Sequence, residues 1–235
     1  MSSPVVLIPG APVLVPELSG AAAADSARQV EHTRELIREA TRDRTRVVVV
    51  GTDQQLRAGA GTRTSLIRWG ADVSVGRTQD PPAEPGTVPD AALIAWWLLD
   101  TSGSDLPRTF SGVYGQSPTP PEADRGDLVV VVADGPASLT PRAPVPEDPR
   151  GVALDAALAD WVRTGGDLPD PGPDVAEDIG WWTRPAWRVL AGLVGHRRAA
   201  ESVSWAPFGV VYHAARWAPG AESGPAGTQP TGAGA

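Results

Sequence analysis

Short apolar blocks separated by polar, proline-rich stretches organise this chain. Val5-Val6-Leu7-Ile8 is closed by Pro9-Gly10. No basic segment precedes it, so it predicts a strand rather than the apolar part of a signal peptide. From about Ala21 to Asp43 the pattern takes a helical period. Ala23, Ala27, Val30, Ile37 and Ala40 lie on one side, and Arg28, Glu31, Glu35, Arg38 and Arg42 on the other. Arg46-Val47-Val48-Val49-Val50-Gly51 is a β-branched run that predicts a strand covered on both faces. Strand, helix and buried strand in this order fit a βαβ unit.

Further along, Thr52–Thr62 predicts a glycine-bearing loop and Ala71–Val75 a short strand. Thr87-Val88-Pro89-Asp90 has capping-box spacing ahead of an apolar helix, Ala91–Leu99, that carries Trp96 and Trp97. Asp127–Ala133 repeats the buried-strand pattern. Pro149–Arg163 and Pro185–Val194 predict amphipathic helices, and Phe208–Trp217 a closing strand. Pro81–Pro89 and Ser117–Asp124 hold too much proline for regular structure. The pattern predicts an α/β fold: one three-layer αβα domain over residues 1–217, with a mostly parallel or mixed sheet between helices. Residues 218–235 are Gly, Pro, Ala, Ser and Thr with few large side chains, and they predict a disordered tail.

Composition narrows the chemistry. The 235 residues contain no cysteine, which removes disulfides and thiolate sites, and all 20 basic residues are arginine, which removes Schiff-base and P-loop lysines. A formal net charge of −8 argues against nucleic acid or an anionic membrane as a partner. No apolar run reaches the length of a membrane span, and a cytoplasmic location is expected.

Ligands in open α/β sheets sit beyond the carboxyl ends of the strands. That places Asp53 and Asp134 as candidates for a shared pocket, where two carboxylates could hold a divalent cation or divide acid and base roles. The competing structural roles are a loop cap for Asp53 and a turn at Asp134-Gly135. The glycines of Thr52–Thr62 match neither GxxxxGK[ST] nor GxGxxG, and no GxSxG elbow exists. His32 is expected to face solvent, and His196 to close a helix. His213, in the last strand, is the histidine best placed for chemistry. Trp181, Trp182 and Trp187 suggest either an aromatic pocket or core packing.

Four segments, in order, carry a family resemblance. They are Pro9-Gly10-Ala11-Pro12-Val13-Leu14-Val15-Pro16-Glu17-Leu18, the strand Val129–Ala133 with Asp134-Gly135, the helix Pro185-Ala186-Trp187-Arg188-Val189-Leu190-Ala191-Gly192, and Ala206-Pro207-Phe208-Gly209-Val210-Val211-Tyr212. Together they resemble the short actinobacterial group of class III extradiol ring-cleavage dioxygenase-like proteins. The resemblance implies a single α/β domain. For active members it also implies Fe(II) held by two histidines and a glutamate, with a further histidine as acid/base; such a facial triad leaves positions open for a catecholate and O₂.

The ligand positions that the resemblance implies do not carry those residues here. The first histidine position is Gly10, and the Asp53 loop, Gly51–Gln55, has no histidine. The acid/base position reads Asp134-Gly135-Pro136-Ala137-Ser138. The glutamate position falls at Thr183 or a neighbour, with Glu177 the nearest carboxylate.

The sequence therefore predicts an extradiol-dioxygenase-like protein without the iron site or any other cofactor, binding a small molecule in the old cleft or a partner on its surface. The alternatives are an enzyme with a rebuilt site at Asp53, Asp134 and His213, or a ring-opening dioxygenase with ligands relocated to His196 and His213. A homodimer is compatible with the sequence.

Overall fold

A computed structural model describes residues 3–84 and 86–220. The predicted tail lies outside the described residues from 221 onward. The fold is mixed α/β, with nine strands among the described residues: β1 (Val5–Ile8), β2 (Arg46–Thr52), β3 (Ala58–Ala60), β4 (Thr64–Ser65), β5 (Ser74–Val75), β6 (Arg108–Val113), β7 (Asp127–Val132), β8 (Glu201–Trp205) and β9 (Tyr212–Trp217). Seven of them form one mixed sheet in the order β3-β6-β2-β7-β1-β9-β8, and β4 pairs with β5 apart from it. The four strands β6, β2, β7 and β1 run parallel, whereas β3, β9 and β8 attach through antiparallel pairings.

The three apolar runs of the sequence are the centre of this sheet. In β2, Val47 and Val49 point into one core and Val50 into the other, so the strand needs apolar residues at successive positions. The helices are α1 (Pro16–Ser19), α2 (Ala27–Ala40), α3 (Asp90–Thr101), α4 (Pro149–Thr164), α5 (Pro173–Asp178) and α6 (Arg184–Val194). Helices α2 and α3 share one core with Val6, Ile8, Val130 and Val132; α4, α5 and α6 share the other with Val5, Leu7, Val129 and Val131.

Several sequence expectations need correction. The helix predicted from 21 to 43 breaks at Ser26: Gly20–Asp25 winds as a 3₁₀ helix, and α2 starts at Ala27. The buried Ser26 hydroxyl, which accepts a hydrogen bond from Trp205 Nε1 at 3.2 Å, anchors the break. The capping box does not form. Pro89 holds the N-cap position of α3, Thr87 turns its hydroxyl back to the Glu84 carbonyl at 2.7 Å, and Asp90 pairs with Arg68. The predicted loop 52–62 contains β3, the short strand is only Ser74–Val75, and the last strand begins at Tyr212 rather than Phe208. His32 is half-buried rather than solvent-facing, with Nε2 3.4 Å from a Glu201 carboxylate oxygen of β8.

Candidate functional site

The carboxyl ends of β1 and β7 meet around Asp134. Its Oδ1 accepts a hydrogen bond from the Gly10 amide at 2.9 Å, which ties together two loops 124 residues apart. Its main chain is fixed from the other side. The Asp134 amide donates to Thr183 Oγ1 at 3.0 Å, and its carbonyl accepts from the Thr183 hydroxyl at 2.6 Å and from Trp187 Nε1 at 2.8 Å. Burial pushes the Asp134 carboxyl up to about 6, against the opposing pull of the Gly10 hydrogen bond. Burial also pushes the Tyr212 phenol up, with the nearby Asp134 charge adding to it.

Gly10 is required by packing. A Cβ there would lie 2.8 Å from Val132 Cγ1 and 3.5 Å from Asp134 Oδ2, so a side chain at position 10 would displace this arrangement. Thr183 stands at the N-cap of α6, yet its hydroxyl serves Asp134 rather than its own helix.

Asp53, at the end of β2, is committed elsewhere. Arg57 grips both carboxylate oxygens, with Nε 2.9 Å from Oδ2 and an NH2 group 2.7 Å from Oδ1, and the Arg57 amide adds a third bond at 2.8 Å. The guanidinium hydrogen bonds hold this carboxyl below its ordinary range. The loop-capping role anticipated for Asp53 is what the geometry shows.

His213 is fully buried in β9. Its Nδ1 lies 2.7 Å from Ser204 Oγ, and its ring stands edge-on to Trp187 at 5.4 Å. Nε2 has no hydrogen-bond partner; the nearest carboxylate oxygen, on Asp155 of α4, is 3.8 Å away. Burial pushes the imidazole down to about 4 and the Asp155 carboxyl up. His213 is therefore neutral at pH 7.

The structure does not join the three candidates. Strand alternation directs Asp53 and Asp134 to the α2–α3 face. His213 faces the other core, next to Trp187 of α6. No hydrogen bond or ion pair links any two of them among the described residues. His196 lies apart again, exposed after α6, with Nδ1 3.6 Å from Asp167.

An open crevice of about 440 Å³ lies at the carboxyl ends of β2 and β6. Thr52, Asp53, Gln55, Arg57, Tyr114 and Trp182 line it, together with Glu177. A smaller hollow of about 220 Å³ adjoins it and shares Tyr114, Glu177 and Trp182. Asp134 does not line either one. Trp181 and Trp187 are buried in the core, whereas Trp182 is 51% exposed and Tyr114 49%. The tryptophan cluster thus divides: two rings pack the core and the third walls the crevice.

Tyr114 and Glu177 escape a reading of the sequence as site residues, because β6 and α5 carry no strong periodic signal. The proline-free interval between Thr109 and Gln116 offers the one available hint of a strand there.

The residues at the positions implied for iron do not fit a ferrous centre. Gly10 brings no side-chain donor and the Thr183 hydroxyl is used twice by the Asp134 main chain. Asp53 is held by Arg57. A facial triad needs two imidazoles and a carboxylate facing one point, and here only the Asp134 carboxylate stands near Gly10. Among the described residues no group of three or more His, Asp or Glu side chains could hold a metal ion. No described helix is long and apolar enough to cross a membrane. In comparisons with known proteins, no protein-family model and no curated protein matches this chain.

Proposed function

We propose that this chain is an extradiol-dioxygenase-like α/β protein in which iron-dependent ring opening has been given up and the carboxyl edge of the sheet binds a small organic molecule. The observation that carries the reading is the closed arrangement of Gly10, Asp134 and Thr183. These are the positions where the family resemblance implies donors and an acid/base group, and they lie together at the ends of β1, β7 and α6. Their hydrogen-bonding capacity is spent on one another instead of on a metal.

The binding half of the proposal rests on the crevice beside that arrangement. A concave site with a few polar groups and aromatic walls is the usual form of a small-molecule site. Large aromatic rings left half-exposed at a cavity mouth lose apolar burial that a ligand would restore. A rebuilt acid/base enzyme is less well supported, since Asp53, Asp134 and His213 each have separate partners.

The test is anaerobic incubation with one equivalent of Fe(II), removal of free metal, and addition of catechol and O₂ in an oxygen-electrode cell. The expected result is oxygen uptake no faster than a blank carried through without protein. Retention of one iron per chain with stoichiometric ring opening of catechol would overturn the proposal.

A further inference from the structure

The crevice at the ends of β2 and β6 has a chemical bias that its volume alone does not express. Two half-exposed rings, Tyr114 and Trp182, wall it. Such rings present negative π-faces, which attract a cation and give nothing comparable to an anion. Three carboxylates belong to the same lining: Asp53, Asp90 and Glu177. Asp53 is neutralised by Arg57 and Asp90 by Arg68. Glu177, exposed at the junction of the two hollows, has no side-chain hydrogen bond or ion pair among the described residues. The basic side chain of the lining, Arg57, already spends its donors on Asp53 and on the Thr87 carbonyl.

Thr52 adds an independent sign that the lining is incomplete. Its hydroxyl oxygen is shielded from solvent and has no hydrogen-bond partner, yet the residue lines the crevice. A buried hydroxyl without a partner costs about 1–3 kcal/mol, and a ligand bearing a polar group would recover part of it.

We infer that the crevice walled by Tyr114, Trp182 and Glu177 selects an organic cation: a small molecule that carries an ammonium group beside an apolar or aromatic portion. The ammonium sits against the two rings with Glu177 as its counter-charge, and the apolar portion covers the remaining aromatic surface. Exposed cation–π contacts contribute about 0.5–1 kcal/mol each and more when desolvated, so two rings and one carboxylate account for at least a tenfold preference over a neutral analogue. This inference rests on the small-molecule reading above and assigns its ligand class.

Three probes that share one ring and differ in charge test it: benzyltrimethylammonium, benzyl alcohol and benzoate. Binding to the full chain is followed by tryptophan fluorescence and calorimetry. The expected order is benzyltrimethylammonium tighter than benzyl alcohol by tenfold or more, with benzoate weakest. Glu177→Gln should reduce the preference for the cation over benzyl alcohol about fivefold while leaving benzyl alcohol itself unchanged. Trp182→Ala should weaken benzyltrimethylammonium tenfold or more, and both substituted side chains are exposed, so folding should be intact.

If benzyl alcohol or benzoate binds as well as the cation, the charge assignment is wrong while the crevice remains a binding site. If none of the three binds at millimolar concentration, both the assignment and the small-molecule reading fail.

Discussion

Replacing Trp187 by alanine is expected to cost about 4 kcal/mol of folding stability, the largest loss of any single change around the Asp134 arrangement. The side chain is fully buried, and its ring contacts Trp161 and Trp181 at centroid distances of 6.1 and 6.3 Å as well as His213 at 5.4 Å. Truncation leaves a cavity at the meeting point of α4, α6 and β9. It also removes the Nε1 hydrogen bond to the Asp134 carbonyl. Trp187→Phe separates the two contributions, because it keeps most of the ring and loses only the N–H donor. Its expected cost is about 1–2 kcal/mol. Denaturant unfolding of both variants checks this. A loss below about 1 kcal/mol for Trp187→Ala would mean that the ring is not the keystone of this core.

Asp134→Asn is expected to act in the opposite direction. In the folded chain the Asp134 carboxyl sits at about 6 instead of its ordinary 3.8. Between those values the native state binds more protons than the unfolded state, so stability falls as pH rises through the window. Above pH 6 the wild-type chain bears the full cost of holding the anion, up to about 3 kcal/mol at about 1.4 kcal/mol per pH unit. Asparagine accepts the Gly10 hydrogen bond without that cost. The variant should therefore be more stable than wild type at pH 7, with the gain shrinking toward zero below pH 4.

His213 pulls the other way. Its folded value of about 4 lies below the ordinary 6.5, so the unfolded state binds more protons between them, and stability is lost as pH falls from 6.5 to 4. In the wild type the two opposing trends offset each other over much of this range. In Asp134→Asn the histidine dependence stands uncovered and the acid limb steepens. Subtracting the two stability–pH curves isolates Asp134, because the remaining groups titrate in both chains. A variant that is less stable than wild type at pH 7 would contradict the placement of this carboxyl.

The sequence revealed the frame of the molecule unevenly, for physical reasons. Strands covered on both faces must be apolar at every position, so β1, β2 and β7 stand out as unbroken runs of Val, Leu and Ile. The body of α3 stands out for the same reason, since its eight residues from Ala92 to Leu99 are all buried. Strands nearer the sheet edge need only one covered side, and their sequences are mixed. In β6, Arg-Thr-Phe-Ser-Gly-Val begins with a buried arginine whose charge is met by Asp100 at 2.7 Å. In β8, Glu-Ser-Val-Ser-Trp alternates half-buried and exposed positions at the rim. Neither announces itself as a strand.

The candidate site was legible to the same degree. Carboxylates after two buried parallel strands predict Asp53 and Asp134 at the carboxyl edge, which is where both lie. Their partners were hidden by chain distance and by chemistry. Asp134 is held by a main-chain amide 124 residues away and by a threonine 49 residues away, and no residue pattern encodes an amide donor. The pairing of β8 with β9 brings Ser204 to His213, and it could not be foreseen while β8 itself was unrecognised. The crevice depends on Tyr114 and Glu177, which follow β6 and close α5, the elements with the faintest signals.

The claim at the centre of this account is that Gly10, Asp134 and Thr183 bind one another in place of a metal. Amide NMR of the isotope-labelled chain at pH 7, titrated anaerobically with Fe(II), addresses it directly, because high-spin ferrous iron broadens resonances close to where it binds. The account predicts that the Gly10, Asp134 and Thr183 signals keep their positions and widths past one equivalent. Selective loss of those three signals at a single equivalent, with the rest of the spectrum intact, would contradict it.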